Sequence, residues 1–275
     1  MRKLSSKIIV YTFLTALCII WLYPFVWMVS TSFKTMNQMW SGGMSLVPDP
    51  LIFENYIRAW NKANFSSYFV NTIIFAGGLV ILSNLLGATS GYVIGRFNFP
   101  GRKFIVGLMI ATLVVPKGTR IIPVFNLVKM LGLLNTRIGM ILAALGGGLV
   151  LRILLFSGFF RGLPKDLEDA AKIDGCNFVQ QFWYVMFPLS KPIIATVTIL
   201  SFVGAWKAFL IPLVFTFSRP ELRTLGVGMY AFVGQYSNDW TGMAAGATIS
   251  IIPVMIVFLF FQRYFIEGMA GAIKG

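Results

Sequence analysis

Apolar and polar stretches alternate along the whole chain. Apolar runs lie near residues 8–30, 68–92, 104–125, 138–160, 192–216 and 244–262, with shorter polar segments between them. A helix needs about 20 apolar residues to cross the hydrocarbon layer. Backbone groups in lipid must be satisfied within the segment, so these runs predict helices. The first run carries no charge and no small-residue cleavage site follows it. It therefore reads as a membrane helix and not as a signal peptide. The third run meets Pro116, Lys117, Arg120 and Pro123 and is expected to end near Pro116. In the fourth, Gly146, Gly147 and Gly148 predict close packing against a neighbouring helix, and Arg152 is an interior charge. In the sixth, Pro253 predicts a kink, and Phe258, Phe260 and Phe261 predict lipid-facing packing. The fold class that follows is an all-α integral membrane protein of six transmembrane helices, one domain over residues 1–275.

One segment breaks the pattern. Residues 164–188, PKDLEDAAKIDGCNFVQQFWYVMFP, are polar and helix-patterned but stand between the fourth and fifth apolar runs. Pro164 suits a first helical turn. Asp166, Glu168 and Asp169 then fall at its electropositive end. Gly175 predicts the stop of this helix, and Asn177 the cap of a second. The pattern predicts a two-helix loop over about 161–191, built to dock against something else.

Composition agrees with a membrane location: 57% of residues are hydrophobic and 12% charged, about half the charged share of an ordinary soluble domain. With the amino terminus inside, the inner segments hold 12 Lys and Arg and the longer outer segments 9. That bias favours both termini, and the 161–191 loop, in the cytoplasm. The net charge of +14 is dispersed around the spans. It suits lipid headgroups as partners and argues against nucleic acid.

Several chemistries drop out. The chain has no histidine, which removes His-based catalysis, His metal sites and His proton relays. Cys18 and Cys176 fall at different depths, so no disulfide is expected. There is no P-loop motif. No carboxylate lies within a span, whereas ion-driven transporters commonly use them. A membrane-embedded enzyme needs convergent titratable groups, and none is visible. A mere scaffold leaves the docking loop without a purpose. No metal site and no cofactor bound by this chain is expected.

The loop pattern D-A-A-x3-G-x9-V-x-F-P, from Asp169 to Pro188, resembles the EAA loop of ABC importer permeases, E-A-A-x3-G-x9-I-x-L-P. The segment L-G-L-L-N-T at 131–136 and the ending G-A-I-K-G at 271–275 resemble the carbohydrate-uptake branch of that family, of maltose-importer type, and its shorter six-span subunit. The resemblance implies that the loop carries the coupling helices, which sit in a cleft of a cytoplasmic ATPase. Asp169 takes the place of the motif Glu, with Glu168 as an alternative contact. Ala170 and Ala171 match the alanines, Gly175 the turn, and Pro188 the closing proline; Asp174 falls on the same helical face. The tail from about residue 263, with Gly268, Gly271, Lys274 and Gly275, would reach the ATPase interface. In the fifth run G-A-W-K-A-F-L-I-P-L resembles a family segment G-S-W-N-E-F-L-W-P-L, which makes Trp206, Lys207 and Phe209 candidates for the substrate pathway.

The function this implies is import of a sugar, foremost an oligosaccharide, across a bacterial or archaeal cytoplasmic membrane. The implied partners are a second permease subunit in a heterodimer, two ATPase subunits that bind ATP and Mg, and an extracytoplasmic solute-binding protein. Another polar solute, such as a glycerol phosphate, is the alternative cargo.

Overall fold

The computed structural model describes residues 2–62, 64–234 and 238–273. Among these the architecture is all helical, and the one pairing of extended backbone is an isolated bridge between Val233 and Asn238. The helices are α1 (Arg2–Ser32), α2 (Met36–Ser41), α3 (Glu54–Lys62), α4 (Phe65–Arg96), α5 (Arg102–Val114), α6 (Ile121–Met130), α7 (Arg137–Gly146), α8 (Leu149–Gly162), α9 (Asp166–Ile173), α10 (Phe178–Gln180), α11 (Phe187–Leu189), α12 (Lys191–Trp206), α13 (Leu210–Phe215), α14 (Leu225–Gly228) and α15 (Trp240–Ile273). Three stretches are each long and apolar enough to cross a membrane alone: Lys7–Ser32, Phe65–Arg96 and Trp240–Arg263. Three bent helix pairs reach that length only as pairs.

The bends have local causes. The third apolar run stops as α5 at Val114, ahead of Pro116 as expected, and a 3-10 turn over Lys117–Arg120 leads into α6. The fourth run bends by 59° between α7 and α8, at Gly147 and Gly148. This differs from the sequence expectation of close packing there. A Cβ on Gly146 would meet nothing within 4 Å, one on Gly147 only the Ala144 carbonyl at 3.4 Å, and one on Gly148 the Arg152 guanidinium at 3.0 Å, from the helix that follows it and not from a neighbouring one. The triple glycine is a break in the apolar run. The fifth run is also broken, because α12 ends at Trp206 and the chain resumes helix only at Leu210.

The chain divides into two compact units, Met1–Ser66 with Gly228–Ile252, and Ser67–Val227 with Pro253–Gly275. In the first, the segment after α1 is tied down by buried polar groups. Asn55 donates to the carbonyls of Ser32 (2.9 Å) and Lys34 (2.8 Å), and the buried Lys34 ammonium donates to the Ser45 carbonyl. Arg58 forks onto Asp239 at 2.8 and 3.0 Å, joining α3 to the turn before α15. Most of the apolar surface of α1 is exposed, as a helix bathed in lipid requires.

In the second unit the close helix contact lies on α4. Gly87, Gly91 and Gly95 recur every fourth residue and form one stripe. A Cβ on Gly91 would stand 2.5 Å from the Phe156 Cβ and 3.0 Å from the backbone of Ile153 and Ser157. Gly87 meets Phe156 and Arg152, and Gly95 meets Ser157 and Phe160. Contacts that advance together on both helices mean that α4 and α8 run parallel. Their seam continues into a core of Ala88, Tyr92, Phe156, Phe160, Phe182, Met186 and Val197. Phe182 and Met186 belong to the 164–188 segment, so that segment is rooted in the core of this unit.

Candidate functional site

The polar segment folds as two short helices with a glycine corner. α9 carries Asp166, Glu168 and Asp169 in its first turn and Lys172 in its last, both of the sign that suits the helix dipole. It ends as a Schellman motif: Cys176 N–H donates to the Ala171 carbonyl at 2.9 Å and Gly175 N–H to that of Lys172 at 3.0 Å. Gly175 has φ +80°, a left-handed conformation that glycine adopts without a Cβ penalty. Asp174 is the C-cap residue. Asn177 then forms a reciprocal capping box with Gln180. A π-helical stretch over Gln181–Met186 and a last turn containing Pro188 lead to Ser190. There the path bends by 74° into α12.

The two acidic residues at the motif position face opposite ways. Glu168 turns inward and accepts from Arg96 at 2.8 Å, with side chains 14% and 5% exposed. Arg96, the last residue of α4, also donates to the carbonyls of Phe160 (3.2 Å), Leu163 (2.7 Å) and Pro164 (3.3 Å). One guanidinium thus joins the ends of α4 and α8 to α9. Tyr92, one turn earlier on α4, lies beside Glu168. Asp169 points outward with its side chain 64% exposed and pairs with Lys172 at 3.0 Å. Ala171 is buried and Ala170 exposed. The outer surface also presents Ile173, Val179 and Tyr184. Apolar side chains and the exposed carboxylates of Asp166, Asp169 and Asp174 thus share the solvent side of this unit, the mix a docking surface uses.

The remaining sequence candidates are scattered. Trp206 is buried, stacked on Phe202 at 5.1 Å and in a T-shaped contact with Phe69 at 5.7 Å, so its ring is already packed within its own unit. Lys207 is exposed at the C-cap of α12, where the helix dipole favours a cation. Phe209 is 38% exposed in the gap before α13. At the chain's end the backbone of α15 continues as helix through Gly268 and Gly271 to Ile273. Lys274 and Gly275 lie outside the described residues. Sequence reading missed Arg96, whose signal is a lone arginine closing a span, and the glycine stripe, whose signal is the four-residue spacing.

The model of a family described as "binding-protein-dependent transport system inner membrane component" matches residues 83–271. That range contains α9, the glycine corner and Arg96. The chain is 38% identical to the diacetylchitobiose uptake system permease protein of Streptomyces coelicolor, over 94% of this chain and 86% of the relative. It is 34% identical to an arabinooligosaccharides transport system permease protein of Halalkalibacterium halodurans, over 92% and 91%. Among solved structures, a bacterial ABC transporter involved in import of the acidic polysaccharide alginate superposes with TM-score 0.80 and 26% identity, covering 94% of this chain and 96% of that one.

Proposed function

This chain belongs to the family of binding-protein-dependent transport system inner membrane components, and from that premise we propose that it is a saccharide permease subunit, with an oligosaccharide as cargo. It is a transport component of the membrane and not an enzyme. Relatives named for diacetylchitobiose and arabinooligosaccharides support the choice of cargo. In this reading the chain is one transmembrane domain of six spans with both termini inside. A second permease subunit completes the path, and an external solute-binding protein delivers the sugar. Two ATPase subunits hold ATP and Mg²⁺; this chain holds neither.

The observation that carries the reading is the α9–Gly175–α10 unit, exposed on one side and rooted on the other. Asp169, Ala170 and the apolar residues around them meet the ATPase. Glu168 and Ala171 face the permease. When the ATPases close on ATP they push α9, and the Arg96–Glu168 pair passes the displacement to the ends of α4 and α8. Packed helices answer such a push by rigid-body rocking between two arrangements.

Lys207 favours a second, narrower reading, in which the saccharide is acidic. An exposed ammonium at a break in a membrane helix suits an anionic group, and the alginate importer is a structural relative with such a cargo. The overall proposal is tested by deleting the gene and supplying a panel of labelled neutral and acidic oligosaccharides. Uptake of at least one should fall to background and return with the parent chain. Uptake unchanged across the panel would overturn the reading.

A further inference from the structure

α8 begins at the break after Gly148, and no side chain caps it. The first N–H groups of such a helix have no partner within it. They form an electropositive site of the kind that holds anions elsewhere. Arg152, one turn into α8, curls back over this end. Its guanidinium carbon lies 3.1 Å and its Nη1 3.0 Å from the place a Cβ would take on Gly148. The residue is 8% exposed, and Nη1 is sealed from solvent with no hydrogen-bond partner. A cation over the positive end of a helix has the wrong sign, and an unpaired buried charge is costly.

The neighbouring helices supply donors without supplying a negative charge. The α4–α8 ladder matches Gly87 with Arg152 and Gly91 with Phe156. Ser83 stands one turn before Gly87, on the same stripe of α4. Ser83 is fully buried and its Oγ has no partner. Asn84 joins α12 by donating to Thr198 at 3.0 Å. One turn further along α12, Ser201 is also fully buried with an unpartnered Oγ. None of the nine acidic residues lies on these stretches of α4, α8 or α12.

We propose that the N-terminus of α8, Arg152 and the Ser83 hydroxyl form an internal binding site for a monovalent anion of chloride size. The anion neutralises the guanidinium, accepts from the first N–H groups of α8 and from Ser83, and holds the α7–α8 break against α4. Burial by the chain's own helices keeps the carboxylates of a partner subunit away from Nη1, which leaves a small ion as the occupant.

The test uses the complete transporter in lipid nanodiscs, with chloride exchanged for gluconate at constant ionic strength. The parent's Tm should rise saturably with chloride. Ser83→Ala should raise the half-saturating chloride concentration about tenfold, the weight of one charge-assisted hydrogen bond. Arg152→Met should remove the chloride dependence. In crystals grown with bromide, an anomalous peak should appear between Gly148 and Ser83. The proposal is overturned by a parent Tm indifferent to chloride, by variants that keep the parent's curve, or by bromide crystals without that peak. Should Arg152→Met fail to fold, Ser83→Ala and the bromide peak decide the question.

Discussion

Arg96 and Glu168 are 72 residues apart in sequence and 2.8 Å apart in the fold, both nearly closed to solvent. The pair fixes the base of the α9 loop to the end of α4. It also leaves Asp169, the next residue, on the solvent side with Lys172, where a partner can reach it. Removing one member of a buried pair strands the other and costs about 3–5 kcal/mol, whereas removing both costs much less. Arg96→Met and Glu168→Leu should therefore each lower the melting temperature of the complex markedly. The double variant should lose less than the two single losses added together, because no charge is left stranded, while the three carbonyl bonds of Arg96 stay lost. Additive single effects would mean that the pair is not the joint described.

The outward carboxylate should behave differently. Asp169→Ala touches no buried group, so stability should change by less than about 0.5 kcal/mol, as at ordinary surface sites. The rate of ATP-driven uptake should fall. Melting curves and uptake on the same preparation separate the two roles. A variant that loses stability together with uptake would assign Asp169 to the same internal joint as Glu168.

The glycine stripe makes a prediction about assembly of the helix bundle. Gly91→Ala brings a methyl group to 2.5 Å from the Phe156 Cβ and 3.0 Å from α8 backbone. Overpacking of that kind costs about 1–3 kcal/mol. Gly146→Ala meets nothing within 4 Å and should be neutral or mildly stabilising, through lower entropy of the unfolded chain. Thermal melts of the two variants check the contrast.

Much of this was legible in the sequence because capping chemistry is local. Gly175 and Asn177 announce the corner and the second helix wherever the chain goes. The opposite facing of Glu168 and Asp169 was not legible. Adjacent residues on a helix point about 100° apart, but which one faces inward depends on Arg96, far away in sequence. The glycines show the same limit. Gly146–Gly148 and Gly87, Gly91, Gly95 both offer small side chains, yet only the second set falls on one face of an unbroken helix. The break at Lys207 was hidden because the apolar run continues through it to Phe215. Trp206, a candidate for stacking on sugar, is instead buried and packed against Phe202 and Phe69.

The acidic-cargo reading is tested at Lys207. If its ammonium meets an acidic sugar, Lys207→Ala should lower uptake of an acidic oligosaccharide at least tenfold, in keeping with a hydrogen bond to a charged group of about 1.5–3 kcal/mol. Uptake of a neutral oligosaccharide should stay near the parent rate. Equal effects on both, or none on either, would leave Lys207 as a cap on α12 that snorkels to the interface.

Topology is accessible to thiol chemistry. With Cys18 replaced by serine, an impermeant maleimide should label Cys176 only after the cells are opened. A cysteine introduced at Ser218 should label in intact cells. Labelling of Cys176 from outside would put the α9 loop beyond reach of any cytoplasmic ATPase.

If the α9 corner transmits ATP hydrolysis to sugar movement, uptake and hydrolysis measured together in proteoliposomes should part company when the corner is altered. The parent complex, with its binding protein outside and ATP inside, should accumulate the oligosaccharide. The Asp169→Lys complex, assembled in equal amount, should hydrolyse ATP without accumulating sugar or fail to be stimulated by the loaded binding protein. Accumulation at the parent rate by Asp169→Lys would mean that the α9 corner does not couple the two.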